Sequence, residues 1–302
     1  MYYLHIMFLH QRRYMHKKFI MLALVAFSLA AQAAPGDRGA LKQDKELAGA
    51  VFRHVSSPRL RSSIAMIYDV RTHRTLYSKN ADTVAPIASI SKLMTAMVVL
   101  DAKLPMDTVI TISREDMDRL KGTHSRMRPG MKLTRGELLK LALMASENRA
   151  AAALARTYPG GTEAEVAQMN AKARELGMLN THFLEPTGLN SGNVSTAQDL
   201  VKMVMAAQAY PAIHKATTSS SHLVEPAGYR PMMYRNTNPL VRNATWNIGL
   251  SKTGYINEAG RCLVMKANIE DRPVVIVLLD SWGKRTRTDD ANRVKKWMER
   301  ML

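Results

Sequence analysis

Ser89 and Lys92 are the first pair of side chains in this chain whose types and spacing could make and break a covalent bond. Three residues apart on a helix, they share a face. A serine hydroxyl is a weak nucleophile at neutral pH and becomes an effective one when a neighbouring amine takes its proton. Lysine serves as that base only where its surroundings favour the neutral form, and the apolar run from Ser89 to Leu100 supplies such surroundings. A Ser-x-x-Lys spacing arises about once by chance in a chain of this size. A second copy, Ser281-Trp-Gly-Lys284, carries a glycine inside it and follows a strand-like run, so its two side chains need not face each other. Two more motifs follow the first in order: Ser146-Glu147-Asn148 at the end of a predicted helix, and Lys252-Thr253-Gly254 inside a predicted strand. Ser-x-Asn recurs at Ser191-Gly192-Asn193 in a loop, whereas Lys-Thr-Gly occurs once, against a chance expectation well under about 0.1 per chain.

The elements that must hold these residues can be read from periodicity and turn chemistry. Ser63 to Val70 and Thr75 to Ser78 read as a hairpin, and Ser89 to Leu100 as a largely buried helix. Thr134-Arg-Gly-Glu137 and Thr162-Glu-Ala-Glu165 match the capping-box pattern, each before an apolar-periodic run, and Thr196 to Ala207 reads as a further helix. Ile248 to Ile256, Cys262 to Ile269 and Val274 to Asp280 read as strands, closed by a helix over Ala291 to Met301 that packs on the sheet. Strands at both ends with helices between predict an α+β fold: an antiparallel sheet flanked by helices, with an inserted helical lobe. The expected division is an α/β lobe at about 34–100 and 225–302 and a helical lobe at about 101–224.

Composition narrows the setting. The 302 residues are 46% hydrophobic and 23% charged, enough for a core, and the formal charge of +18 points toward an anionic partner. Arg12, Arg13, Lys17 and Lys18, the apolar run Phe19 to Ala30 and the small-x-small step Ala31-Gln-Ala33 read as a secretory signal peptide over 1–33. Met15 is an alternative start. That segment holds four of the basic side chains and no acidic one, so most of the positive excess belongs to the exported part. Export and an aromatic content of 6% argue against nucleic acid and toward a cell-wall polymer in the periplasm. No later run is long and apolar enough to span a membrane, so no transmembrane segment is expected in the mature protein. The single Cys262 excludes an internal disulfide and reads as core filler. No metal or other cofactor is implied. The basic clusters Lys121 to Arg128 and Lys284 to Arg287 read as solvated faces.

In this order and these contexts, the three motifs resemble those of the penicillin-recognising serine DD-peptidases and serine β-lactamases. Ala85 to Ala96, Phe183 to Leu189 and Lys252 to Asn257 are most similar to low-molecular-mass penicillin-binding proteins of the periplasmic D-alanyl-D-alanine endopeptidase type, a resemblance running from about Ser63 to the C-terminus. It implies a β-lactamase/DD-peptidase-like fold, cleavage of peptidoglycan peptide cross-links through an acyl-enzyme on Ser89, and covalent reaction with β-lactams. A carboxypeptidase and a non-catalytic penicillin-binding scaffold stay open as alternatives. Within this resemblance Lys92 takes the Ser89 proton, Ser146 relays a proton to the leaving amine, and Asn148 holds Lys92 and the substrate backbone. Lys252 and Thr253 receive the free carboxylate of the leaving residue, Gly254 lets a substrate strand lie flat, and the amides of Ser89 and Tyr255 form an oxyanion hole. The common β-lactamases use a glutamate in an E-x-x-L-N loop. Glu185-Pro-Thr-Gly-Leu-Asn190 is one residue longer, so Glu185 reads as a turn residue and β-lactam hydrolysis is expected to be slow.

Overall fold

Three ten-residue strands near the C-terminus organise the molecule. In the computed structural model, which describes residues 57–301, the chain begins with β1 (Ile64–Asp69) and β2 (Arg74–Lys79), the expected hairpin. The signal peptide read at 1–33 lies outside the described residues. Short strands β3 (Ala85–Pro86), β4 (Val109–Thr111), β5 (Lys132–Thr134), β6 (Val194–Ser195), β7 (Ser221–Val224) and β8 (Met232–Arg235) pair two by two around the helices. Then β9 (Asn247–Ile256), β10 (Gly260–Ile269) and β11 (Arg272–Ser281) join β1 and β2 in one antiparallel sheet of order β2-β1-β11-β10-β9. Residues Val274 to Leu279 of β11 are all fully buried. Such an unbroken apolar run requires both sheet faces to be covered. Val275, Val277 and Leu279 join the helical core, while Val274, Ile276 and Leu278 pack under the C-terminal helix with Val294 and Trp297.

Seven α-helices occur among the described residues: α1 (Lys92–Asp101), α2 (Arg135–Met144), α3 (Asn148–Arg156), α4 (Gly161–Glu175), α5 (Ala197–Ala207), α6 (Pro211–Thr218) and α7 (Thr286–Glu299). α1 is buried from Lys92 to Val99, as a helix with apolar residues on every side must be. α2 opens with the expected capping box, Thr134 accepting from the Glu137 amide and Glu137 accepting from the Thr134 amide.

The second capping box does not form. α4 starts at Gly161 behind a left-handed Gly160, which places Thr162 inside the first turn and turns Glu165 into the core, fully buried. Neither Glu165 carboxylate oxygen has a hydrogen-bond partner, and burial, with Glu185 nearby, pushes its pKa up to about 8. The folded protein therefore holds a proton here that the unfolded chain releases near pH 4.5. This contribution is complete below about pH 4.5 and is lost as pH rises through about 8. Stability should fall by up to about 1.4 kcal/mol per pH unit inside that window. Glu165→Gln should flatten this slope. Thermal melts of both proteins from pH 5 to 8 check it, and parallel curves would contradict it.

Candidate active site

Ser89 sits at the junction of sheet and helices, but not on the helix expected for it. Ala88–Ser91 is a single 3-10 turn, and the α-helix begins at Lys92. Long-range contacts hold the turn. Ala88 has a φ of 49°, in the left-handed region that an alanine seldom occupies, and the Ser91 hydroxyl donates to the Ala88 carbonyl. Two glycines close on it from opposite directions. A β-carbon at Gly188 would run into the Ala88 carbonyl and come within 2.7 Å of the Ser89 nitrogen. One at Gly254 would lie 2.8 Å from the Ile87 oxygen and 3.1 Å from the Ser89 nitrogen. The turn that carries Ser89 therefore needs a glycine at 254, a requirement in addition to the space expected there for a substrate strand. The same closeness brings the backbone leading into Tyr255 beside the Ser89 amide.

The Lys92 amine lies on the hydroxyl. Its Nζ is 2.9 Å from Ser89 Oγ, 2.7 Å from Asn148 Oδ1 and 2.5 Å from the Thr187 carbonyl oxygen. A carbonyl and an amide oxygen accept only, so a neutral amine must give its two hydrogens to Thr187 and Asn148 and turn its lone pair on Ser89. The Asn148 amide is oriented by its other end. Asn148 Nδ2 donates to Thr123 Oγ1 at 2.9 Å, and Thr123 gives its own proton to Asp118 Oδ2 at 2.7 Å. Burial pulls the Lys92 pKa down to about 8, against the opposing pull of Glu185, Glu147 and Asp118.

Ser146 enters from the helical side. It lies in the break between α2 and α3 with a φ of 59°, so the chain turns sharply there and Asn148 becomes the first residue of α3. Lys252 Nζ is 2.8 Å from Ser146 Oγ and 2.9 Å from the Thr253 carbonyl. Lys252 is almost wholly buried, and burial, with Lys92 and Arg287 close by, pulls its pKa well below the usual lysine range. Its amine faces Ser146 and not open solvent. Thr253 Oγ1 donates to Thr237 Oγ1 at 2.7 Å. β9 is the outer strand of the sheet, so Lys252, Thr253 and Gly254 lie along an unpaired edge.

Glu185 is a turn residue, as expected. Its carboxylate accepts from the Thr187 hydroxyl and from the amides of Thr187, Gly188 and Asn190. Those bonds shape the loop that offers the Thr187 carbonyl to Lys92 and leave the carboxylate occupied.

Arg287 was missed. It falls in a basic run that reads as a solvated face, yet α7 begins at Thr286, five residues before the expected Ala291, and carries Arg287 onto the sheet. Its guanidinium donates to the carbonyls of Gly254 at 2.8 Å and Cys262 at 3.1 Å. The cluster at 121–128 is also only partly free: Lys121 pairs with Glu258, and Arg126 stacks on Tyr234 at 4.0 Å. Cys262 is buried, as expected for a core filler.

A family model described as D-alanyl-D-alanine carboxypeptidase, peptidase S11, matches residues 52–283. The chain belongs to the S11 family of D-alanyl-D-alanine peptidases. Among relatives in this family, a D-alanyl-D-alanine endopeptidase of Pseudomonas aeruginosa is 46% identical over 278 residues, covering 91% of this chain and 85% of that protein. One of Escherichia coli is 49% identical over 247 residues, covering 81% and 79%. The crystal structure of the Streptomyces K15 DD-transpeptidase superposes with a TM-score of 0.75 at 29% identity, covering 80% of this chain and 98% of that one. The α+β fold expected from the motifs is therefore the fold of this S11 peptidase.

Proposed function

We propose that this S11 peptidase is a serine-type D-alanyl-D-alanine endopeptidase that opens peptide cross-links of peptidoglycan in the periplasm. The observation that carries the reading is Lys92 Nζ placed 2.9 Å from Ser89 Oγ, with the Asn148 amide oxygen and the Thr187 carbonyl as its other partners. Ser89 Oγ attacks the D-alanine carbonyl while its proton passes to Lys92 Nζ, giving a tetrahedral adduct whose oxyanion the Ser89 and Tyr255 amides receive. Ser146, which accepts from Lys252, gives its own proton to the departing amine as the C–N bond breaks and takes one from Lys252 in its place, while the proton from Ser89 stays on Lys92 until Ser89 is released by hydrolysis. The acyl-enzyme is then hydrolysed. Lys252, Thr253 and Arg287 form the cationic and hydroxyl-bearing edge for the carboxylate beside that amine. In this reading the substrate enters between the described part of the α/β lobe (57 to about 100 and about 225 to 301) and the helical lobe (about 101–224).

The same geometry acylates on β-lactams. With Glu185 occupied by its loop, the adduct is long-lived. Endopeptidase activity, as opposed to release of terminal D-alanine, is supported by the names of the relatives above 45% identity. Purified protein incubated with cross-linked muropeptide dimers and with monomeric pentapeptides tests it, with Ser89→Ala as control. Monomers from dimers are expected. Release of terminal D-alanine alone would make the protein a carboxypeptidase, and no product from either, with β-lactam labelling intact, would make it a scaffold.

A further inference from the structure

The open edge of β9 continues past Lys252, Thr253 and Gly254. Tyr255, next after Gly254, is 51% exposed, and the Arg261 guanidinium, from the paired position on β10, lies 4.4 Å from its ring centroid. Arg261 is paired on its other side with Ser281 of β11, and the residue after Ser281 is Trp282, 75% exposed. A tryptophan so exposed adds little to the core, and its flat face is available to a ligand. Lys284 and Arg285 are exposed in the turn that follows, and Arg287 returns to the Gly254 carbonyl.

These cations are not neutralised. Among the described residues, none of Arg261, Lys284, Arg285 and Arg287 forms an ion pair. Arg287 is already engaged by the carbonyls of Gly254 and Cys262, whereas the Arg261 guanidinium lies against the Tyr255 ring with no carboxylate partner. A guanidinium at the open edge without an ion-pair partner, beside exposed Lys284 and Arg285, favours an anion. The aromatic faces beside them suit a chain that also carries apolar surface.

We propose that the ledge formed by Tyr255, Arg261 and Trp282 binds the carboxylate-bearing stem peptide on the acyl side of the scissile bond. The inference rests on the endopeptidase reading above. A substrate whose leaving-side carboxylate lies toward Lys252 and Thr253 carries its acyl chain along β9 past Tyr255, and the stem peptides of peptidoglycan carry free carboxylates. Benzylpenicillin carries on that side only a short, uncharged phenylacetyl amide, with no carboxylate for Arg261. The ledge therefore favours cell-wall peptide over small acyl donors without touching the reacting atoms.

The test compares the wild type with the double variant Arg261→Gln, Trp282→Ala. Both are assayed for cleavage of cross-linked muropeptide dimers and for acylation by benzylpenicillin. The variant should show a KM for dimers raised about tenfold with unchanged penicillin acylation. Added salt should raise the wild-type KM more than the variant's. A KM and salt response matching the wild type would overturn the ledge and leave the endopeptidase reading intact. If the wild type cleaves no dimers, that reading falls, and co-sedimentation with isolated sacculi decides the ledge: binding by the wild type and loss in the variant support it, and equal binding rejects it. Should the double change lower acylation, Trp282→Ala alone repeats the comparison at a fully surface position.

Discussion

Lys92→Met should lower the rate of Ser89 acylation by about 10²–10⁴-fold, the range for removing a positioned general base, while leaving a folded protein. Methionine fits a buried helical position and removes an amine that burial penalises. The Thr187 carbonyl and the Asn148 amide oxygen lose their donor, at about 1–3 kcal/mol each, which offsets that relief. The melting temperature should therefore stay near the wild-type value as the rate collapses. In the wild type the acylation rate should rise as pH passes through about 8, because only the neutral amine can accept the Ser89 proton. Stopped-flow acylation by a chromogenic β-lactam from pH 6 to 9 reads both effects. A flat profile, or a Lys92→Met protein that acylates normally, would remove Lys92 from the mechanism.

Gly254→Ala is the second large effect. The added β-carbon has no room before the Ile87 oxygen and the Ser89 nitrogen, so either β9 or the Ser89 turn must move. A displacement near 1 Å at a reacting group costs about 10²-fold in rate. The expected result is acylation slowed by at least that factor. Gly249→Ala, on the same strand, meets nothing nearer than the Lys266 oxygen at 4.0 Å and should acylate at the wild-type rate. Equal rates for the two variants would show that the turn does not depend on this contact.

The sheet was legible in the sequence because β9, β10 and β11 are long, apolar and bounded by turn residues. Thr134 was legible as a cap because both halves of its box lie within four residues. Features that depend on distant chain were not. The 3-10 turn at Ser89 is imposed by Gly188 and Gly254, about 100 and 165 residues away in sequence, and local pattern at 89–100 reads as one helix. Glu165 matches a capping box by spacing, yet packing turns it inward. The start of α3 went unread because the break before it uses a serine in the left-handed region, with no glycine or proline to mark it. Arg287 was hidden by its neighbours: a basic run carries no sign of which member faces the sheet.

The three motifs were found in sequence, and the structure adds how they meet. Lys92 touches Ser89, Asn148 and the Glu185 loop at once. Lys252 touches Ser146. In the proposed mechanism the two lysines serve two hydroxyls, one to attack and one to return a proton.

The account stands or falls on Ser89 as the acylated atom. Purified protein treated with benzylpenicillin, digested and mapped by mass spectrometry should carry a single penicilloyl adduct on the peptide containing Ser89, absent from Ser89→Ala. An adduct on Ser146, on Ser281 or on no serine would contradict it.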